Sequence, residues 1–561
     1  LIMFCIVFVQ EKALKLINLM KTKDLIAKKL RREKALERKN RNLQATQKQK
    51  NIENKEINYT IPNSFSEDVL KEAAQLPTFS IPQNEILRRR DMRNILTCTI
   101  DPDEAKDFDD ALSFQVLDTG NYQIGIHIAD VTHYVQEQTL IDEEAYTRGT
   151  SIYLVDRVIP MLPERLSNEL CSLRPNEDKL CMSVIVEMDP NAKVIRHKIC
   201  RTVICSDYRL TYRQAQDILD NQVQDSQLKN PQLTIAINTL NQLAKQLRVN
   251  RFRLGAINFE TPEVHFRLDE NGEPVSIFFH KLFDSNHLIE EFMLLANRIV
   301  AAEIGRKKKN ADNQEKEAKP FVYRVHDNPD PEKIGKLSTF IKRFGLHLKL
   351  SSNSKTTHKH LNNLLDDCQG KPCQTLVETL TIRSMAKAVY STDNIGHYGL
   401  AFPYYTHFTS PIRRYPDMMV HRLISKYLLQ SKALCRHDKE ELEQACIHCS
   451  ERELAAQMAE RDSIKEMHAR WISNHLGEEF DAIISGVTEF GLFVQLTDTL
   501  TEGLVPIRTI EKNDYMQFDE ENFCLIAART GKTYTLSDSV RVRVTKVDVE
   551  RKLIDFVLVE E

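Results

Sequence analysis

The chain lacks a run long enough to cross a membrane: its opening stretch, LIMFCIVFV, is nine apolar residues, where a helical span needs about 20. That stretch has no basic residue before it and no small-residue cleavage site, so it does not read as a signal peptide. A disulfide framework is absent as well. Twelve cysteines are scattered over 561 residues without the dense spacing of a secreted scaffold, which fits reduced thiols in a cytoplasmic protein. Neither sign of charge dominates, with 77 Lys and Arg against 80 Asp and Glu. The total charge therefore gives nucleic acid no general attraction, and such a partner would need local basic surfaces. No internal repeat is readable.

What is present divides unevenly along the chain, whose length suggests roughly three to four structural units. Residues 11–56 hold fifteen Lys and Arg against six Asp and Glu, so 1–56 reads as a basic, solvated extension. Residues 57–94, punctuated by Pro62, Pro77 and Pro82, read as a connector. From 95 to 472 strands and helices mix, the pattern of an α/β (mixed α+β) domain. Within it, GNYQIGIHIADVTHYV alternates like a strand. SNHLIEEFMLLANRIVAAEIG places Leu288, Phe292, Leu295 and Ile299 on one helical face behind an Asn286 cap. CIHC, at Cys446 and Cys449, falls in a charged helical stretch with no second pair at zinc-site spacing, and reads as helix surface. Residues 473–561 change character, with short β-like runs and Gly486, Gly491 and Gly503 between them, the pattern of a small all-β barrel.

The densest chemistry lies in TIDPDEAKDFDDA, residues 99–111, where six acids occupy the ten positions from 101 to 110. The β-prone runs ILTCTI and ALSFQVL flank it, so the acids belong on a loop between strands. Like charges so close repel unless water or a cation offsets them. Hard divalent cations take oxygen ligands, and Asp101, Asp107, Asp109 and Asp110 would supply several. An exposed acidic hairpin or a calcium loop are the alternatives. The EF-hand pattern fails, since Lys106 and Leu112 stand where it needs Gly and Glu.

TIDPDEAKDFDDAL, GIHIADVTHYV, YLVDRVIPMLPERLSNELCSLRP and YYTHFTSPIRRYPDMMVHRL, in that order, resemble the catalytic RNB domain of the ribonuclease II superfamily, and the likeness runs from about residue 57 to 560. It implies a processive, Mg²⁺-dependent hydrolase, with two ions and Mn²⁺ as a substitute, that degrades single-stranded RNA from its 3′ end to 5′-mononucleotides. A cytoplasmic monomer with no membrane partner is the matching expectation. By motif, the resemblance implies metal ligation by Asp101, Asp107, Asp109 and Asp110, with Asp110 and Asp109 serving the chemistry and Arg413, in SPIRRYPD, as the catalytic arginine. Arg414 is a weaker candidate for contact with the RNA backbone. Tyr153 matches the tyrosine that stacks the terminal base, and stacking suits an enzyme indifferent to sequence. Phe259 matches an opposing aromatic, with core packing as the alternative, and Tyr212 matches a channel tyrosine, with the same alternative. Glu290 or Glu291 corresponds to a glutamate near the 3′ end. Asp103 and Glu104 match no ligand position and read as solvated. His127, His133, His397, His407 and His421 read as structural or RNA-contacting rather than as general bases.

The C-terminal segment resembles an S1-type OB-fold barrel that binds RNA, with Phe490 and Phe493 as stacking aromatics unless one of them is core. Arg541, Arg543 and Lys546 are placed there to steer phosphates. No cold-shock domain is readable before residue 57 and no Lys-rich tail follows the barrel, a departure from the resemblance that bears on the RNA entry path, the affinity and the minimum substrate length. A catalytically silent RNA binder of this fold would be expected to lose an aspartate or the arginine, and all five are retained. DNA as substrate is disfavoured by the resemblance alone.

Overall fold

The computed structural model describes residues 63–77, 81–257, 263–306, 319–349, 354–371, 373–429, 436–511, 514–519 and 522–559. The basic extension 1–56 and Phe259 lie outside the described residues.

The centre of the fold is a seven-stranded sheet in the order β1-β8-β7-β4-β3-β2-β9. In chain order the strands are β1 (Arg90–Asp91), β2 (Thr97–Asp101), β3 (Asp110–Val116) and β4 (Tyr122–Ala129), then, after a small hairpin of β5 (Ile152–Tyr153) and β6 (Val158–Ile159), β7 (Asp178–Met188), β8 (Val194–Cys205) and β9 (Tyr208–Thr211). The pairings are antiparallel, except that β1 joins β8 and β9 joins β2 in parallel at the two edges. Within GNYQIGIHIADVTHYV, Ile124, Ile126 and Ile128 share one face of β4 and are fully buried, as the alternation predicts, but the strand ends at Ala129 and Val131–Tyr134 turn into a short helix instead of continuing it. Burying each stabilises the sheet by roughly 1.5–3 kcal/mol, the scale needed to hold a costly cluster of charge at a strand end. His127, on the opposite face, is clasped at 2.8 Å by each of the Ser113 and Ser183 hydroxyls. A Cβ at Gly125 would run into that imidazole, so the close approach requires glycine there.

Five helices matter for the site: α1 (Tyr212–Leu219), α2 (Pro231–Arg253), α3 (Asp284–Gly305), α4 (Tyr415–Ile424) and α5 (Arg436–Ser473). Leu288, Phe292, Leu295 and Ile299 are buried along one side of α3, as their spacing predicts, and α3 packs on α2, β4 and β7. Asn286 is not the cap. The helix starts two residues earlier, and the Asn286 side chain reaches back to accept the Phe283 N–H at 2.9 Å. CIHC is not helix surface either: Cys446 is 1% and Cys449 2% exposed, because α5 crosses the core before it leaves it. That helix has 38 residues, about 57 Å at 1.5 Å per residue. Near its end, His468 meets Thr501 of the C-terminal region at 2.8 Å.

The C-terminal strands Glu479–Thr488, Gly491–Leu496, Glu502–Pro506, Ser539–Asp548 and Leu553–Leu558 form a closed barrel. Leu492, Val494 and Leu496 fill its interior. Among the described residues, no helix is long and apolar enough to cross a membrane.

Candidate active site

β2 and β3 pair in antiparallel register, Thr97 opposite Ser113 and Cys98 opposite Leu112, and the acidic segment is the loop they carry. Asp101 ends β2 and Asp110 begins β3, so both are fixed by the sheet. The loop between is shaped by groups that the sequence did not single out. Ser172 Oγ accepts the Phe108 N–H at 3.0 Å and donates to the Lys106 carbonyl at 2.7 Å. Arg209 Nη2 donates to the carbonyls of Pro102 at 2.8 Å and Asp103 at 2.7 Å, with its guanidinium 5.6 Å from the Phe108 ring centre.

Asp109 is 4% exposed. Its Oδ1 accepts the Ile412 N–H at 2.9 Å, while Oδ2 lies 3.4 Å from Arg413 Nε. Arg413 also donates through Nη2 to Ser410 Oγ at 3.0 Å, so the SPIRR loop and the acidic loop are joined face to face. Burial, added to by the charges of Asp107 and Asp110, raises the Asp109 pKa well above the usual carboxyl range despite Arg413. Burial likewise raises Asp101, with Asp109 and Asp107 contributing, and Asp110, with Asp101 contributing. Asp107 is raised by burial too, against the opposing pull of Arg413. Asp101 Oδ2 and Asp109 Oδ2 are buried with no hydrogen-bond donor. Among the described residues, no three such side chains converge as a preformed metal cage. Unsatisfied carboxylate oxygens crowded at one wall nevertheless fit a hard cation that is completed by water and substrate phosphate.

All four aspartates line one cavity of about 570 Å³, with Tyr153, Tyr212, Glu290, Arg413 and Arg414. Tyr153 stands half exposed on the β5–β6 hairpin, whose backbone is held by α5: the Tyr153 N–H donates to Glu460 Oε1 at 3.0 Å and the Val155 N–H to Ser463 Oγ at 3.1 Å. Tyr212 opens α1 and its hydroxyl pKa is raised, first by burial and then by Asp110 and Asp101. The adjacent glutamates share Arg251, whose Nη2 lies 3.1 Å from Glu290 Oε1 and 2.5 Å from Glu291 Oε1, but differ in exposure. Glu290 faces the cavity, whereas Glu291 is 3% exposed. Arg414 also lines the cavity, but its Nη2 is committed to Asp417 Oδ1 at 2.8 Å. Glu104 is exposed at the rim and Asp103 is exposed outside it. None of the five histidines lines the cavity.

Asn297 was missed by sequence reasoning. It is 3% exposed, lines the cavity, and accepts the Phe408 N–H on Oδ1 at 2.8 Å while Nδ2 donates to Thr409 Oγ1 at 3.4 Å. The available signal was its place at the end of HLIEEFMLLAN, but its partners Phe408 and Thr409 lie in a loop more than a hundred residues away.

Phe490 and Phe493 do not line the cavity. They sit on the barrel with ring centres 6.1 Å apart at 86°, Phe490 exposed and Phe493 half-buried, so neither is core. Arg541 and Arg543 are engaged by Glu479, at 3.2 Å and 2.6 Å, and Lys546 is exposed like both of them.

Comparison with known proteins places these features in a group. Residues 89–430 match the RNB domain and residues 475–558 the S1 RNA binding domain. Ribonuclease R of Aquifex aeolicus is 42% identical over 505 residues, 90% of this chain and 69% of that protein. Ribonuclease R of Escherichia coli is 36% identical over 516 residues, 90% of this chain but 61% of that protein. The structure of Mycoplasma genitalium RNase R in complex with ribose methylated single-stranded RNA superposes with a TM-score of 0.82 at 27% identity, covering 91% of this chain and 78% of that one.

Proposed function

The chain belongs to the RNB-domain family, and from that premise we propose that it is a 3′-to-5′ exoribonuclease that hydrolyses single-stranded RNA processively to 5′-mononucleotides with Mg²⁺. The observation that carries this reading is the cavity that four aspartates share with Arg413, two of them with a buried carboxylate oxygen that receives no hydrogen bond. Divalent cations held by Asp101, Asp107, Asp109 and Asp110 would offset the carboxylate repulsion and polarise the scissile phosphate.

The chain's own groups do the rest. Arg413, anchored by Ser410 and facing Asp109, offers its fork to phosphate oxygens and offsets charge that develops on them. Tyr153 presents a ring for the terminal base, a contact indifferent to base identity and worth roughly 1–3 kcal/mol. Glu290 accepts hydrogen bonds from the 3′-terminal ribose. The RNB and S1 matches together support an RNA substrate, and the barrel aromatics hold the strand outside the cavity.

The test is a time course of 5′-labelled single-stranded RNA on a denaturing gel, with Mg²⁺, with EDTA, and with Asp110→Asn. A metal-dependent passage from full length to a short limit product, lost in the variant, is expected. RNA that stays intact with Mg²⁺, or is cut equally well by Asp110→Asn, would overturn the proposal.

A further inference from the structure

A second cavity, of about 670 Å³, lies on the far side of α3 from the first. One apolar wall of Leu294, Phe402 and Tyr405 stands between them: Leu294 and Tyr405 face the acidic cavity, and Phe402 faces the second. Its electrostatics are inverted. The Arg298 guanidinium lies 5.3 Å from the Phe402 ring centre. Among the described residues, neither Arg298 nor Arg306 has a carboxylate partner or a side-chain hydrogen bond. The nearby Glu291 is already bound by Arg251. Burial lowers the Arg298 pKa against the opposing pull of Glu291, and Arg306 lowers it further. Two guanidinium groups that repel each other in one recess are held at a cost that an anion would offset.

The recess also indicates which anion fits. Arginine forks match phosphate oxygens, and Tyr404, Pro403 and Leu254 add a ring and apolar surface beside them. Glu303, 3.4 Å from His197 in the same recess, disfavours a long polyanion and so favours one nucleotide over a strand. We propose that this cavity is a second, non-catalytic site for a nucleoside monophosphate, with its phosphate on Arg298 and Arg306 and its base against Tyr404. The choice of a nucleotide over another phosphate ester rests on the exoribonuclease reading.

Isothermal titration of the full chain in EDTA tests it, with AMP, adenosine, inorganic phosphate and a 5′-phosphorylated pentaribonucleotide as probes. Loss of one charged fork should weaken AMP binding about tenfold or more in Arg298→Gln and in Arg306→Gln, and Tyr153→Ala should leave it unchanged. Because Arg306 is exposed, its variant guards against a folding defect. AMP binding that survives both arginine changes, or that Tyr153→Ala removes, would place the nucleotide in the acidic cavity and overturn the proposal. Adenosine or inorganic phosphate binding as tightly as AMP would overturn it too, as would the pentanucleotide displacing AMP at equal concentration. RNA degradation by Arg306→Gln, read on the labelled-RNA gel, should keep its rate. Failure of that degradation in the unmodified chain bears on the catalytic reading, whereas failure of AMP binding bears on this one.

Discussion

The acidic hairpin and the aromatic pair on the barrel treat solvent in opposite ways. Asp109 is 4% exposed, whereas Phe490 is 54% exposed: a charge is inside and a large apolar ring outside, the reverse of what burial preferences favour. Each reversal costs stability, and each makes sense only if a ligand completes it. Withdrawn from water, the carboxylates act strongly on a cation and a phosphate. Rings left in water are available to any base that arrives. Under the proposed function the two regions divide the work, with chemistry where dielectric is low and capture where access is high.

The comparison can be broken most severely at the hairpin. Asp110→Asn is expected to cut turnover by at least about 100-fold with RNA affinity nearly intact, as read by single-turnover kinetics beside filter binding. Equal loss of both would mean that the residue serves binding. Next in size, Arg413→Lys keeps the charge but loses the fork, and should lower turnover about tenfold with little change in affinity. On the barrel, Phe490→Ala should do the opposite and weaken RNA binding by about 1 kcal/mol, roughly fivefold, with saturated turnover unchanged. Tyr153→Ala is expected to lengthen the limit product on a sequencing gel and to change the rate least.

Acidity sharpens the contrast further. The aspartate pKa values are raised in the fold by burial and mutual repulsion, so the protonated groups favour the folded state. Their contribution is full below the ordinary carboxyl range and is lost as pH rises through the raised values. In EDTA the melting temperature should therefore fall as pH rises toward and past neutrality. Mg²⁺ should restore it, and Asp110→Asn should flatten the profile. A profile identical in the variant would remove the hairpin as its source.

Much of this was legible in the chain. The alternation in GNYQIGIHIADVTHYV and the spacing in HLIEEFMLLAN depend on local periodicity: α3 formed where its spacing put it, and β4 formed in the first part of its segment but stops at Ala129, with Val131–Tyr134 helical. Local pattern does not reveal what covers a residue. CIHC sits in a charged stretch and is buried because α5 crosses the core. Asn286 looked like a cap and is instead the third residue of a helix that begins two residues sooner. Glu290 and Glu291 are equivalent in sequence and both meet Arg251, and only the packing of the helix decides that Glu291 is buried and Glu290 faces the cavity.

The sequence alone determined the acidic loop between two strands, the order of the motifs and the barrel at the end, because each is written in residues close together along the chain. Tertiary structure decided the rest. It brought Asp109 to Ile412 and Arg413 across some 300 residues, placed Asn297 against Phe408, and set a basic recess behind the acidic cavity on the same helix. Those pairings depend on which surfaces pack together, and packing is a property of the whole fold, not of any segment.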